Sequence, residues 1–437
     1  MVILAAAQAP IASKKVPMSR RIQIVRLLQE FSLPLIFGVL GGLLAANLAP
    51  EWYQHYFGAG HGEGGPWVVP VLGPLMDQWI HHPGTLPFFI NDIFMAFFFG
   101  IAAKEITEAA LPGGSLNPMK KAMNPLIATL GGVFGPILAF VGFLSYQFNS
   151  GSYGEGVEWD QVVNGWGIPT ATDIALAWMV ARAVFGAGHP AINFLLLLAI
   201  ADDAIGLGII AIFYGDAAHP AEPAWLGLVA VGMFVAYLFR RANLRSWQLY
   251  IFIAGPISWY GFIQAHLHPA LALVPIVPFL PGPKRDTGMF VDTEAGVKEH
   301  DDHSPLHSFE HELKLFVDFG LFFFAFANSG VEFAGVGPMT LAILAALVVG
   351  KTVGVTFCGW IAVKLGFPLP TGMSYRDLVM AGFIAALGLT VALFVAGAAF
   401  KATPDLLGQA KMGALFSGAV GLVALLLGRV FGFQKRA

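Results

Sequence analysis

Residues 192–214 read INFLLLLAIADDAIGLGIIAIFY, an apolar run whose only charges are the adjacent Asp202 and Asp203. An α-helix of this length crosses the hydrocarbon core of a bilayer, which is roughly 30 Å thick and takes about 20 apolar residues. The remainder of the chain is of the same kind. Of its 437 residues 57% are hydrophobic and only 12% are charged, against about 25% charged in an ordinary soluble domain. Such a chain can bury a large core but cannot cover it with polar surface. The sequence is that of a polytopic, all-α membrane protein, and the two acids inside its oil need a reason.

Twelve stretches qualify as spans: 33–49, 88–111, 125–146, 168–184, 192–214, 225–239, 247–263, 269–280, 315–331, 338–365, 378–400 and 413–431. The eighth is short and holds Pro275 and Pro278. Basic residues test the map independently. With both termini cytoplasmic, all but three of the 24 Lys and Arg fall in cytoplasmic segments or adjoining helix ends; Lys351, Lys401 and Lys411 are the exceptions. The outer loops at 50–87, 147–167 and 215–224 contain no Lys or Arg. That split follows the positive-inside rule, which an early miscount of spans would scramble. The loop at 50–87, rich in Gly, Pro, Trp and His, is expected to form a small outer hairpin, and the polar loop 281–314 separates the first eight spans from the last four.

Charge and cysteine usage exclude several classes. A net charge of −3 with no sustained basic face gives no support for nucleic-acid binding. Cys358 is alone, so there is no disulfide framework. The N-terminal segment 1–32 places its weakly apolar part before its basic residues, the reverse of a signal peptide.

Ionised side chains at mid-bilayer cost roughly 2.5–3.5 kcal/mol each, and so default to functional roles. Five stand out: Asp92, Asp173, Asp202, Asp203 and Lys351. Neighbours on a helix point about 100° apart. One of the paired acids can therefore face a neighbouring helix while the other faces an aqueous funnel. Lys351 is the natural partner for one of them, because a buried carboxylate beside an ammonium escapes much of the desolvation penalty. One lysine leaves the second aspartate unexplained. The fourth span carries a break, GIPTATDIALAW, in which Pro169 ends one helix and Thr172 or Asp173 can cap the next. Gly388 and Thr390 mark a second weak point in the eleventh span. Interrupted helices near membrane charges are a sequence pointer to a transport site.

The stretches FFINDIFMAFFFGIAAKE (88–105), GIPTATDIALA (167–177), LAIADDAIG (198–206), FFAFANSGV (323–331), GKTVGVTFCGW (350–360) and GLTVALF (388–394) resemble, in order, those of the NhaA-type sodium/proton antiporter family. The resemblance implies twelve helices built on inverted repeats, here 125–214 and 338–431, with helices four and eleven unwound and crossing at mid-membrane. Residues 1–32 are then a cytoplasmic N-terminal segment, 33–111 the first two helices, and 225–331 the linking helices. It implies Asp203 as the principal carboxylate for cation and proton, Asp202 as its companion, Lys351 paired with Asp202 in one state, and Asp173 with Thr172 in the unwound stretch. Glu105, Glu310 and His311 match a pH-responsive region; Glu108 departs from it, standing where the family has a base. His268 matches a family histidine. The implied protein carries Na+ or Li+ against H+ without a cofactor. It is a homodimer in the inner membrane of a bacterium.

A sodium-coupled organic-anion symporter on a similar fold is the nearest alternative, but it would not need Lys351 beside paired acids. An intramembrane aspartyl protease needs its two acids on different helices, with Gly-x-Gly-Asp before one; here they are adjacent. His303, His307 and His311 have helical spacing, but Pro305 is expected to interrupt a helix there.

Overall fold

The computed structural model describes residues 32–58, 67–80, 84–112, 114–116, 119–154, 156–215, 221–282 and 304–433. Residues 1–31 and most of the 281–314 loop, His303 included, lie outside them. The regular structure of the described residues is helical, apart from one isolated antiparallel bridge, Val68 with Thr85.

Six helices among them are long and apolar enough to cross a membrane: Leu86–Ala110, Ala122–Asn149, Pro190–Phe213, Pro223–Arg241, Pro338–Lys364 and Pro404–Val430. Two bent pairs raise the number to eight. Trp159–Thr170 meets Ile174–Phe185 at 50°, and Tyr375–Ile384 meets Leu389–Ala399 at 47°. Leu33–Leu48 is a shorter apolar helix, and residues 247–264 form a further helix with a π-helical middle. Large apolar side chains project outward from these helices; Leu138 is 72% exposed and Leu422 68%. In water this would be a liability, whereas against lipid tails it is neutral.

Three stretches differ from the sequence reading. Residues 269–280 form two short 3-10 turns, Pro269–Leu271 and Val277–Phe279, rather than an α-helix. Pro269, Pro275 and Pro278 each lack a backbone donor, so a continuous ladder cannot form. Pro305 opens a helix instead of interrupting one. It occupies the first turn of Pro305–Ser329, where its missing N–H costs nothing, and Ser304 caps that end by accepting from His307 N. The ninth span thus begins about ten residues earlier than its apolar run, a polar first turn being tolerated at a helix end. The outer 50–87 segment is mainly helical, with Pro50–Phe57 and Leu72–Ile80; the Val68–Thr85 bridge is the described remnant of the expected hairpin.

Glycine brings two helices together at the centre. A Cβ on Gly131 would run into the backbone of Gly354, and one on Gly350 would meet Pro136 and Ala139. Helices Met119–Asn149 and Pro338–Lys364 therefore approach backbone to backbone. That closeness carries Lys351 into the interior.

Candidate functional site

The two helix breaks lie against each other and satisfy each other's backbone. Thr170 ends a 3-10 helix over Asn164–Thr170 that contains Pro169, and the chain runs extended until Asp173 caps Ile174–Phe185. The Asp173 side chain accepts from Leu176 N at 3.1 Å in its own helix. Its other oxygen accepts from Thr390 N at 3.3 Å and Thr390 Oγ1 at 2.9 Å, in the second half of the other pair. Asp173 N donates to Leu387 O at 2.6 Å, and Thr172 Oγ1 donates to Ala385 O at 2.9 Å. In hydrocarbon every freed backbone group needs a partner, and here the partners are exchanged across the crossing.

The electrostatics follow from helix polarity. The N-termini of Ile174–Phe185 and Leu389–Ala399 both end on Asp173, whose negative charge complements two positive dipole ends. Lys351 does the reverse. Its Nζ donates to Thr170 O at 2.6 Å, at the carbonyl end of a broken half-helix. It also pairs with Asp202 Oδ2 at 2.5 Å. Thr172 Oγ1 reaches that same oxygen at 2.8 Å. Asp202 and Lys351 are completely buried, so each would be expensive without the other. Lys351 ends the π-helical stretch Ala346–Lys351. π-Bulges of this kind are frequent at functional sites.

Asp203 differs from its neighbour. The helical offset turns it away from Lys351 toward a small pocket lined by Phe99, Ala102, Leu207, Ile210 and Val391. Its Oδ1 is buried without a hydrogen-bond partner, as is the Oδ1 of Asp202. Of the two orientations that helical spacing allowed, Asp202 therefore takes the neighbouring helix and Asp203 takes the pocket. The structure brings Asp202, Asp203, Lys351, Thr172 and Asp173 into one place, and adds Thr390 and the Thr170 carbonyl. Thr390 was legible as a weak point but not as a ligand of Asp173, since nothing in the chain marks two breaks as neighbours.

Glu105 and Glu310 lie elsewhere, at one end of the bundle. Lys104 sits between them, its Nζ 3.2 Å from Glu105 Oε1, 2.7 Å from Glu108 Oε2 and in close contact with Glu310 Oε2. All four are buried. Lys104 and Glu108 were not singled out as functional from sequence, although their i,i+4 spacing on an apolar helix is the signal that marks a paired charge. His311 is not drawn into this group. It is exposed on the Pro305–Ser329 helix, with its ring 6.3 Å from that of His307.

A family model described as "Na+/H+ antiporter 1" matches residues 30–430. The protein described as "Na(+)/H(+) antiporter NhaA" of Desulfitobacterium hafniense (strain DSM 10664 / DCB-2) is 53% identical over 419 residues, covering 96% of this chain and 98% of its own. One of the same description from Geobacter sulfurreducens is 50% identical over 411 residues, covering 94% and 98%. That of Jannaschia sp. (strain CCS1) is 44% identical over 429 residues, covering 93% and 97%.

Proposed function

Since the chain belongs to the Na+/H+ antiporter 1 family, we propose that it exchanges sodium, or lithium, for protons at Asp202 and Asp203. It is a transporter and not an enzyme. The observation that carries the site assignment is the asymmetry of the two acids. Asp202 gives one oxygen to Lys351 and Thr172, while Asp203 has no such cation partner and lines a pocket; each acid keeps one buried oxygen without a hydrogen-bond partner. A hard alkali cation takes oxygen ligands, and a carboxylate oxygen without a partner is free to offer one. The same oxygen holds a proton when the cation is gone. One site that holds either ion, and opens to one side at a time, performs antiport.

The crossing supplies the moving part. Half-helices held by exchanged hydrogen bonds rather than by a continuous ladder can tilt as units, so access can alternate around a fixed site. Lys351 is placed to follow the charge of Asp202. When Asp202 takes part in cation binding, the ammonium retains the Thr170 carbonyl as an acceptor. If two protons leave for each sodium bound, each cycle moves net charge and membrane voltage drives it.

In the proposed arrangement the chain makes twelve crossings as two inverted repeats, 125–214 and 338–431, with both termini in the cytoplasm of a bacterium and the protein in its inner membrane as a homodimer. Support comes from the split of basic residues and from the two bent pairs at corresponding places in those ranges. Orientation then puts the Lys104 cluster on the cytoplasmic side, where Glu105 and Glu310 would respond to internal pH; His311, exposed and apart, would contribute little. Nothing favours the organic-anion symporter. The relatives carry the antiporter description, and Lys351 beside the paired acids serves proton exchange.

The test is direct. Proteoliposomes containing a pH dye and the purified protein are challenged in turn with Na+, Li+ and K+. Proton movement on adding Na+ or Li+ is expected; silence with every cation overturns the reading.

A further inference from the structure

Asp92 is an intramembrane charge that the exchange site leaves unused. It lies in the π-helical stretch Phe89–Phe94 near the start of the Leu86–Ala110 span, on the side assigned to the outside. Its Oδ1 is 3.5 Å from His268 Nδ1, and that nitrogen is buried without a hydrogen-bond partner. The Asp92 and His268 side chains remain 19% and 16% exposed, so the pair borders a partly open mouth. The flanking groups are held. Trp259 Nε1 donates to the Asp92 carbonyl at 3.3 Å, and Asn328 Nδ2 donates to Asn91 Oδ1 at 2.7 Å.

Behind the pair stands an aromatic barrier. The His268 ring packs on Phe394 with centroids 4.5 Å apart, and Phe394 meets Phe99 edge-on at 4.9 Å. Phe99 lines the pocket that contains Asp203. The Phe394–Phe99 contact therefore separates Asp92 and His268 from the exchange carboxylate. Phe394 belongs to Leu389–Ala399, half of a bent pair, so tilting that half-helix would shift the barrier.

We propose that Asp92 and His268 form a proton relay at the outer mouth, passing protons between the outer medium and Asp203. This rests on the antiport reading and adds a residue pair to its outer path. Chemistry selects the proton over sodium as the ion that stops there. One carboxylate and one imidazole nitrogen are a poor set for a hard alkali cation, which takes several oxygens. Among the described residues the Lys401 ammonium acts electrostatically on both members, and it repels a resting cation. The 305–329 helix offers Asn328 beside Asn91, and its own Lys314–Asp318 pair lies nearer its start. A proton needs only a lone pair at each stop, and burial with the Lys401 ammonium holds the His268 ring neutral, so its unpartnered Nδ1 offers one. The steps balance. A proton taken up on Asp92 passes from Oδ1 to His268 Nδ1 as the ring gives up the proton on its other nitrogen, leaving carboxylate and neutral imidazole. The proton given up travels through water to the Asp203 carboxylate when Phe394 moves aside, and the ring returns to its first tautomer before the next transfer.

The experiment separates proton passage from cation passage. Asp92→Asn, His268→Gln and Asp92→Glu are made in the full chain and reconstituted beside wild type and Asp203→Asn. Two modes are measured: sodium–proton exchange with a pH dye, and exchange of radioactive for unlabelled sodium, which needs no proton to cross. Asp92→Asn and His268→Gln should slow sodium–proton exchange several-fold, most strongly when the outer medium is alkaline and must supply the protons. Sodium–sodium exchange should keep its wild-type rate, and Asp92→Glu should restore proton coupling. Equal losses in both modes would show a packing or cation-passage role and overturn the relay, as would an unaltered proton rate. An inactive wild type would remove the antiport reading, and an active Asp203→Asn the assignment of Asp203 as the relay's acceptor; either overturns the relay.

Discussion

Two buried charge clusters in this molecule use the same residue types to opposite ends. Around Lys351 there is one base for two adjacent acids, and only Asp202 is paired; Asp203 turns into a pocket. Around Lys104 there is one base for three acids, and it touches all of them at once. The first cluster is framed by interrupted helices whose freed carbonyls are taken by Lys351, Thr172 and Asp173, the second by two unbroken helices, Leu86–Ala110 and Pro305–Ser329. A carboxylate kept apart from the local cation is available to an incoming ion. A set of carboxylates gathered on one ammonium is closed, and its remaining freedom is to gain or lose protons. Open and closed clusters are thus distinguished by geometry, not by composition.

The comparison breaks most completely at Asp203. Asp203→Asn keeps the shape of the side chain but removes its charge and its titrating proton, so cation-driven proton release should vanish while the protein stays folded. Liposome flux together with a melting curve checks both halves. Near-normal exchange by Asp203→Asn would mean that the open carboxylate lies elsewhere.

A graded effect comes next. Sodium and protons compete for the same oxygens, so apparent sodium affinity of purified protein should fall by about tenfold per pH unit in acid for each proton displaced, and level off in base. Binding titrations across pH read this directly. A flat affinity would rule out a shared site at Asp202 and Asp203.

The two bases then sharpen the contrast. Lys351→Ala strips a buried partner from Asp202 at a cost of about 3–5 kcal/mol unless Asp202 takes up a proton. Lys104→Met leaves three buried carboxylates together, and they can stay close only by holding protons. Melting temperature should drop for both variants. For Lys104→Met the loss should be larger at alkaline pH and partly recovered in acid, since protonated acids no longer repel. An unchanged melting point in either variant would show that its ion pair does not hold the fold.

The smallest expectation falls on His311. It is exposed and in none of the ion pairs of the Lys104 cluster, so His311→Ala should change stability by less than about 0.5 kcal/mol and leave the pH profile of exchange in place. A displaced profile would restore it to the pH response.

Much of this was legible in the chain because a membrane imposes simple rules. The spans at 192–214 and 338–365 announce themselves by apolar length, and orientation by the sidedness of Lys and Arg. A helix cap at Thr172 or Asp173 followed from Pro169 and the adjacent Thr and Asp, which local backbone chemistry governs, and the structure uses Asp173. Less legible were elements whose composition does not match their form. Residues 269–280 are apolar enough for a span but carry too many prolines for a helix, while 305–314 are polar yet helical because the turn is capped.

By itself the sequence determined that this is a membrane protein, where its apolar helices run, and that charges inside them must matter; these depend on composition and on neighbours along the chain. Only the tertiary structure decided which acid is paired. It took the approach of Gly131 to Gly354 to carry Lys351 to Asp202, and the crossing of two breaks to set Thr390 against Asp173. It also gathered Lys104 with Glu310 from a distant helix. The physical reason is common to all three. Hydrogen bonds and ion pairs act over a few ångströms, and which distant groups come that close is settled by how whole helices pack.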